Sequence, residues 1–219
     1  MSTARQGPDF PASRVLIGVV GGIASGKSTI AGRLAELCGA GRLDADAAAR
    51  RAFEQPKNAR AIAREFPRAA GASGEVDRKK LAKIVFDDEK ALARLEAILH
   101  PPIRQSLLRS LSRARQDVVI LDAPLLQENG LAEWCDLVVY VECPARTRRA
   151  RSRATRGWTE NEHCAREARQ FALRRKRAGA DAIVRNRDSA SGGAAGETTR
   201  DLKRLNRRIE KVRRAKKRK

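Results

Sequence analysis

The 219-residue sequence is short of aromatic residues, at 4%, and of sulfur, with one methionine and four cysteines. With so few rings, a core has to be built from alanine, valine, leucine and isoleucine, and a hydrophobic fraction of 42% is enough to build one. Histidine occurs only twice, which excludes a histidine-rich metal centre. No pair among Cys38, Cys135, Cys143 and Cys164 has CxxC spacing. They read as reduced thiols of a cytoplasmic protein, not as a disulfide framework or a zinc site. No apolar run reaches the length needed to cross a bilayer, so no membrane partner is expected. The opening residues 1–13 lack the apolar centre of a signal peptide and read as a loose leader. No internal repeat is present.

Positive charge is abundant. Lysine and arginine total 47 against 26 acids, a formal net charge of +21. It is concentrated in the closing stretch "RDLKRLNRRIEKVRRAKKRK" and in 146–156. A basic tail is either a solvated segment or an anion contact, to nucleic acid or to substrate polyphosphate. The tail has no interleaved aromatics, so base stacking is not supported; a purely electrostatic contact would weaken steeply with salt.

Three apolar runs without polar alternation, "VLIGVV" at 15–20, "DVVILD" at 117–122 and "DLVVYVE" at 136–142, read as strands of a parallel sheet covered on both faces. "GRLD" and "ADAIVRN" supply shorter strands. Helical patterns alternate with them: "KSTIAGRLAELC", with Ile30, Leu34 and Leu37 on its apolar side, "ADAAARRAFE", and several in 57–116. Leu92, Leu95, Ile98 and Leu99 share one helical face, and a separate helix is expected from Pro101 onward. This is an α/β fold with right-handed crossovers. After Asn186 comes a Gly/Ser/Ala-rich linker. The tail beyond it reads as an amphipathic helix through Leu202, Leu205, Ile209 and Val212 with a disordered basic end, and removing 190–219 is expected to leave activity largely intact.

The stretch "GGIASGKS", 21–28, matches G-x-x-x-x-G-K-[ST] between a strand and a helix. Its glycines let successive amides converge on an anion, at the positive end of a helix. Gly22, Ile23, Ala24, Ser25, Gly26, Lys27, Ser28 and Thr29 are the candidate cradle for ATP. Lys27 reaches the β- and γ-phosphates and Ser28 is the candidate Mg²⁺ ligand. The carboxylates of "LDAD", Asp44 and Asp46, end the second strand. They suit a proton acceptor or a metal ligand, and equally a helix cap. The arginine-rich segment after "DLVVYVE" is either a lid closing over ATP, with Arg153 and Arg156 as candidates for the transferred phosphoryl, or a basic surface helix. Asp122 stands at a strand end, where either a metal ligand or a turn former fits.

Taken together, "GGIASGKST", "DADAAAR", "VDRKKLAKIVF", "LEAILHPPI", "LDAPLLQENGL" and "ADAIVRN" resemble the dephospho-coenzyme A kinases, in that family's order and over roughly 15–187. The resemblance implies a P-loop kinase-like core, a parallel five-stranded sheet flanked by helices. To this it adds a helical substrate-binding region at about 57–116 and a lid at about 144–172, all within a domain at 14–187. The linker and basic C-terminal tail, 188–219, lie outside it. It implies transfer of the γ-phosphate of ATP to the ribose 3′-hydroxyl of dephospho-coenzyme A, the last step of coenzyme A synthesis. Asp46 then matches the family's general base, assisted by Lys27 and a lid arginine, Arg153 or Arg156. Asp44, His100, Pro124 and Leu125 fall on the substrate side. Two departures stand out. Arg156 is followed by Gly157-Trp158 where the family's lid has an Arg-Asp pair. Ala24 replaces a glycine, which a negative φ would accommodate. The other readings of the same cradle are a kinase for a nucleoside, nucleotide or sugar acid, and a nucleic-acid-associated NTPase; the "DAD", "LHP" and "PLL" set favours the first-named acceptor.

Overall fold

The computed structural model describes residues 13–71, 75–86, 88–123, 125–168, 170–187 and 194–218. The expected leader up to residue 12, the linker 188–193 and Pro124 lie outside them. The chain divides into two compact units: Met1–Asp44 with Leu111–Lys219, and Ala45–Ser110. The strands are β1 (Val15–Gly21), β2 (Gly41–Asp44), β3 (Val118–Asp122), β4 (Leu137–Glu142) and β5 (Ala182–Arg185). In chain order the helices are α1 (Lys27–Cys38), α2 (Ala45–Glu54), α3 (Pro56–Glu65), α4 (Arg78–Phe86), α5 (Glu89–Arg113), α6 (Ala145–Arg156), α7 (Glu160–Ala168), α8 (Leu173–Ala178) and α9 (Ala194–Lys217).

In the first unit the strands form one parallel sheet in the order β2-β3-β1-β4-β5. The three β-branched runs are its centre, and nearly every residue in them is buried. The short edge strands β2 and β5 are only partly covered. Ile30, Ala31, Leu34 and Ala35 of α1 pack on Val15, Ile17 and Val19 of β1. Leu37 falls off that stripe and is 42% exposed. Gly39, left-handed at φ 61°, ends α1 by returning its amide to Ala35 O.

The tail corrects the reading of a dispensable appendage. Leu202, Leu205 and Ile209 of α9 are buried in the same cluster as β1, β4 and β5, with Val212 packed against it. Each such side chain contributes about 1.5–3 kcal/mol by leaving water. The basic residues of α9 also meet the amino ends of the strands. Arg208 reaches Asp181, Lys216 reaches Asp136, and Arg213 and Lys217 both reach Asp117. Each aspartate immediately precedes a strand. Asp136 and Asp181 also accept the amides of Leu16 and Val138 from the neighbouring strand.

The second unit, α2 to α5, has its own core of Ile62, Phe66, Ala69, Leu81 and Ala91, backed by Leu95, Ile98 and Leu99. Here α5 runs unbroken through Pro101 and Pro102, where a fresh helix start was expected. The two prolines remove two amide donors, so the carbonyls of Ala97 and Ile98 lose their helical partners; flanking turns on both sides keep the helix in one piece.

Candidate active site

The cradle is the turn from β1 into α1. Gly26 caps α1 at φ 86°, and a Cβ there would run into Asn186 Nδ2, so only glycine serves. Asn186 Nδ2 in turn donates to Ser25 O at 2.7 Å. Lys27 Nζ donates to Gly21 O (3.2 Å) and Gly22 O (2.9 Å), which holds the ammonium inside the loop. Ile23 and Ser25 are buried, while Ser28 and Thr29 are exposed on the first turn of α1. The buried Ser25 Oγ has no partner among the described residues. Ala24 corrects the expectation of a negative φ: it sits at φ 56°, in the left-handed region. A side chain there costs about 1–2 kcal/mol, and alanine, the smallest one, minimises the clash.

The arginine-rich segment forms α6, which joins α7 through Gly157 at φ 66°. Thr159 and Glu162 make a reciprocal capping box at the start of α7. Two arginines of α6 meet the cradle. Arg148 is buried, lies so close to Gly22 that a Cβ there would meet its guanidinium, donates to Cys143 O at 3.2 Å and pairs with Glu167 of α7. Arg151 donates to Ser25 O at 3.4 Å. The buried His163 shares a 2.8 Å hydrogen bond between Nδ1 and Ser152 Oγ. Burial pushes its pKa down, against the opposing pull of Glu167, so the ring is neutral at pH 7.

At the carboxyl ends of the strands, Asp44 of β2 and Asp122 of β3 are paired in register. That is the edge of an open α/β sheet where ligands bind. Asp122 is buried, with Arg42 at 3.6 Å. The donors on offer are a hydroxyl and carboxylates, all oxygen, which fits Mg²⁺. Among the described residues no three His, Cys, Asp or Glu side chains gather into a metal cage. A magnesium ion here would complete its shell with phosphate and water oxygens, as this ion ordinarily does.

A family model described as dephospho-CoA kinase matches residues 15–191. The dephospho-CoA kinase of Geobacillus kaustophilus is 42% identical over 193 residues, 85% of this chain and 92% of that protein. The chain belongs to the dephospho-CoA kinase family. A solved Thermus thermophilus protein is 35% identical with a TM-score of 0.76, covering 91% of this chain and 97% of that one. The fold is also shared with a dephospho-CoA kinase from Campylobacter jejuni: TM-score 0.61, 24% identity, 90% of this chain and 98% of that one.

Within this family kinase, the structure brings Gly22 to Thr29 together as one turn after β1, with Asp44 at the end of β2, two strands away and separated from β1 by β3. Leu125 follows β3, half-buried. The arginines differ from the sequence expectation. Arg148 and Arg151 meet the cradle, whereas Arg153 is exposed and Arg156 lies over the Trp158 ring, 4.7 Å from its centroid. Spacing alone could not choose among six arginines, because only the packing of α6 decides which turn faces Gly22. Asp46 and His100 belong to the second unit. Asp46 is exposed in the first turn of α2, and His100 lies within α5 directly before Pro101. Sequence reasoning missed Asn186, whose only signal was its place in "ADAIVRN". It also missed the buried Lys176, which pairs with Glu128 at 2.8 Å and donates to Gln170 Oε1 at 2.9 Å. That pair ties α8 to the loop after β3.

Proposed function

We propose that this chain transfers the γ-phosphoryl group of ATP to the 3′-hydroxyl of the ribose of dephospho-coenzyme A. The observation that carries the reading is the register pair Asp44–Asp122 beside the cradle that ends β1, in a chain matched to the family over 15–191. The amides of 22–28 and Lys27 Nζ bind the β- and γ-phosphates. Arg151, from α6, stabilises the charge that spreads over the equatorial oxygens in the transition state. Asp46 is the base. It lies two residues beyond Asp44 along the chain and accepts the proton of the 3′-hydroxyl. The oxygen so freed bonds to the γ-phosphorus, the bond from phosphorus to the β–γ bridging oxygen breaks, and ADP leaves with that electron pair. Ser28 and Asp122 would hold Mg²⁺, which neutralises charge on the β- and γ-oxygens. None of the four cysteines forms a disulfide, which supports a reducing, cytoplasmic setting.

The test is ADP release by purified protein with ATP and Mg²⁺, comparing dephospho-coenzyme A with nucleosides, nucleotides, sugar acids and the cyclohexene acid shikimate. Phosphorus NMR of the product then locates the new ester. Turnover confined to dephospho-coenzyme A, with the ester on the 3′-oxygen, is expected. Turnover on a different acceptor, or without any acceptor, overturns the reading.

A further inference from the structure

The outward face of α9 carries a charge that neither the fold nor the kinase site uses. Arg200, Lys203, Arg204, Arg207, Lys211 and Arg214 are all exposed. The acids of the same helix are taken by other arginines: Glu197 by Arg185 and Arg187, Asp201 by Arg185, and Glu210 by Arg213. Among the described residues, none of the six outward cations forms an ion pair. Arg200, Arg204, Arg207, Lys211 and Arg214 follow one another at helical intervals of four and three, which stacks them into one stripe about 21 Å long.

The chemistry of this face is restrictive. Its apolar side is committed to the core through Leu202, Leu205 and Ile209. Arg213, Lys216 and Lys217 pin the helix to Asp117 and Asp136. It cannot roll to lay an apolar face into a lipid interface, which membrane-surface helices need. The stripe presents no aromatic ring on which unpaired bases could stack. What it offers is a fixed row of cations beside two depressions. One, of about 760 Å³, lies between α9 and β5; Arg204, Arg207, Arg208 and Lys211 line it together with Asp181 and Asp201, which pair with Arg208 and Arg185. The other, of about 410 Å³, is lined by Arg200, Lys203, Arg204 and Arg207, with Glu197 and Asp201 paired to Arg185. A concave, cation-lined surface of this length complements a rigid ridge of phosphates, and duplex nucleic acid carries about one charge per 1.7 Å of axis.

We propose that the outer face of α9 docks the phosphate backbone of double-stranded nucleic acid, independently of base sequence. The helix runs from Arg185 at the carboxyl end of β5 to Asp117 and Asp136 at the amino ends of β3 and β4, and among the described residues none of the six outward cations forms a hydrogen bond or ion pair with the cradle, so the contact is separate from phosphoryl transfer. The test uses full-length protein and labelled duplexes of about 20 base pairs in two unrelated sequences, read by fluorescence anisotropy. Equal affinity for both duplexes is expected, with five neutralised phosphates giving a loss of about 10²–10³-fold between 50 and 200 mM salt. The variant R200Q/R204Q/R207Q/K211Q/R214Q is expected to bind at least about tenfold more weakly, while its melting temperature and ADP release stay at wild-type values. Three results overturn the proposal: no binding at the lower salt, equal binding by wild type and variant, or flotation with phosphatidylglycerol vesicles without duplex binding. A failed ADP-release assay with duplex binding intact would strike the kinase reading and leave this one standing.

Discussion

Lys216 Nζ sits 2.7 Å from Oδ1 and 2.8 Å from Oδ2 of Asp136, and the same carboxylate accepts the amide of Leu16 on the adjacent strand. One ammonium near the end of the chain therefore closes a hydrogen-bonded corner at the start of the sheet. Such a contact is worth little as an isolated surface pair. It counts here because it repeats at Asp117 and Asp181 and because the apolar side of α9 is buried between the anchors.

The helix should accordingly behave as core. Ile209→Ala removes a fully buried side chain and is expected to cost about 2–5 kcal/mol of stability in urea unfolding. Deletion of 194–219 is expected to abolish cooperative unfolding. A truncated protein that melts like the full chain would contradict this.

Acid should loosen the same clamp. The hydrogen bonds from Lys217 and Arg213 hold Asp117 at a pKa of about 2. A carboxylate lowered in the folded state stabilises above its unfolded pKa, near 4, and that contribution is lost as pH falls toward 2. Between those limits the urea midpoint of the wild type should fall more steeply than that of Asp117→Asn. Parallel curves would show that the contact carries no linkage.

Arg151→Gln is expected to reduce turnover by about 10²–10³-fold, while Arg153→Gln stays near wild type, because Arg151 reaches Ser25 O and Arg153 is exposed. Single-turnover rates with saturating ATP make the comparison. The reverse ranking would move the phosphoryl-facing turn of α6 by half a helical turn.

Asp46→Asn should lower kcat by about 10²–10⁴-fold with ATP affinity little changed, since a base acts on the acceptor's proton and not on the donor nucleotide. Equilibrium binding of an ATP analogue separates the cases: lost binding with surviving turnover per bound nucleotide would make Asp46 a ligand or a cap.

Much of this fold can be read along the chain, because its strands are continuous apolar runs and its cradle is local. Residues 15–28 carry strand, turn and helix start within one short window, and the structure keeps them in that order. What could not be read depends on contacts between distant residues. Asp44 meets Asp122 only through the strand order. Lys176 meets Glu128 across 48 positions. Arg148 is selected over its neighbours only by the packing of α6. The tail misled for a different reason. Its lysines and arginines suggest a solvated segment, and its four apolar residues at helical spacing are the only local sign that one side is buried. Ala24 is a case where the residue type pointed to one backbone conformation and the fold imposed the other.

The anchoring of β3, β4 and β5 by α9 sets an order of events during synthesis. Asp117, Asp136 and Asp181 leave the ribosome before the cations of α9 that close on them. The cradle and its helix are complete long before that. Because domains tend to acquire structure from the amino terminus as they emerge, the sheet waits with its starting edge open until α9 has emerged. The commitment of the sheet to its native state thus waits on a helix made long after the strands it closes.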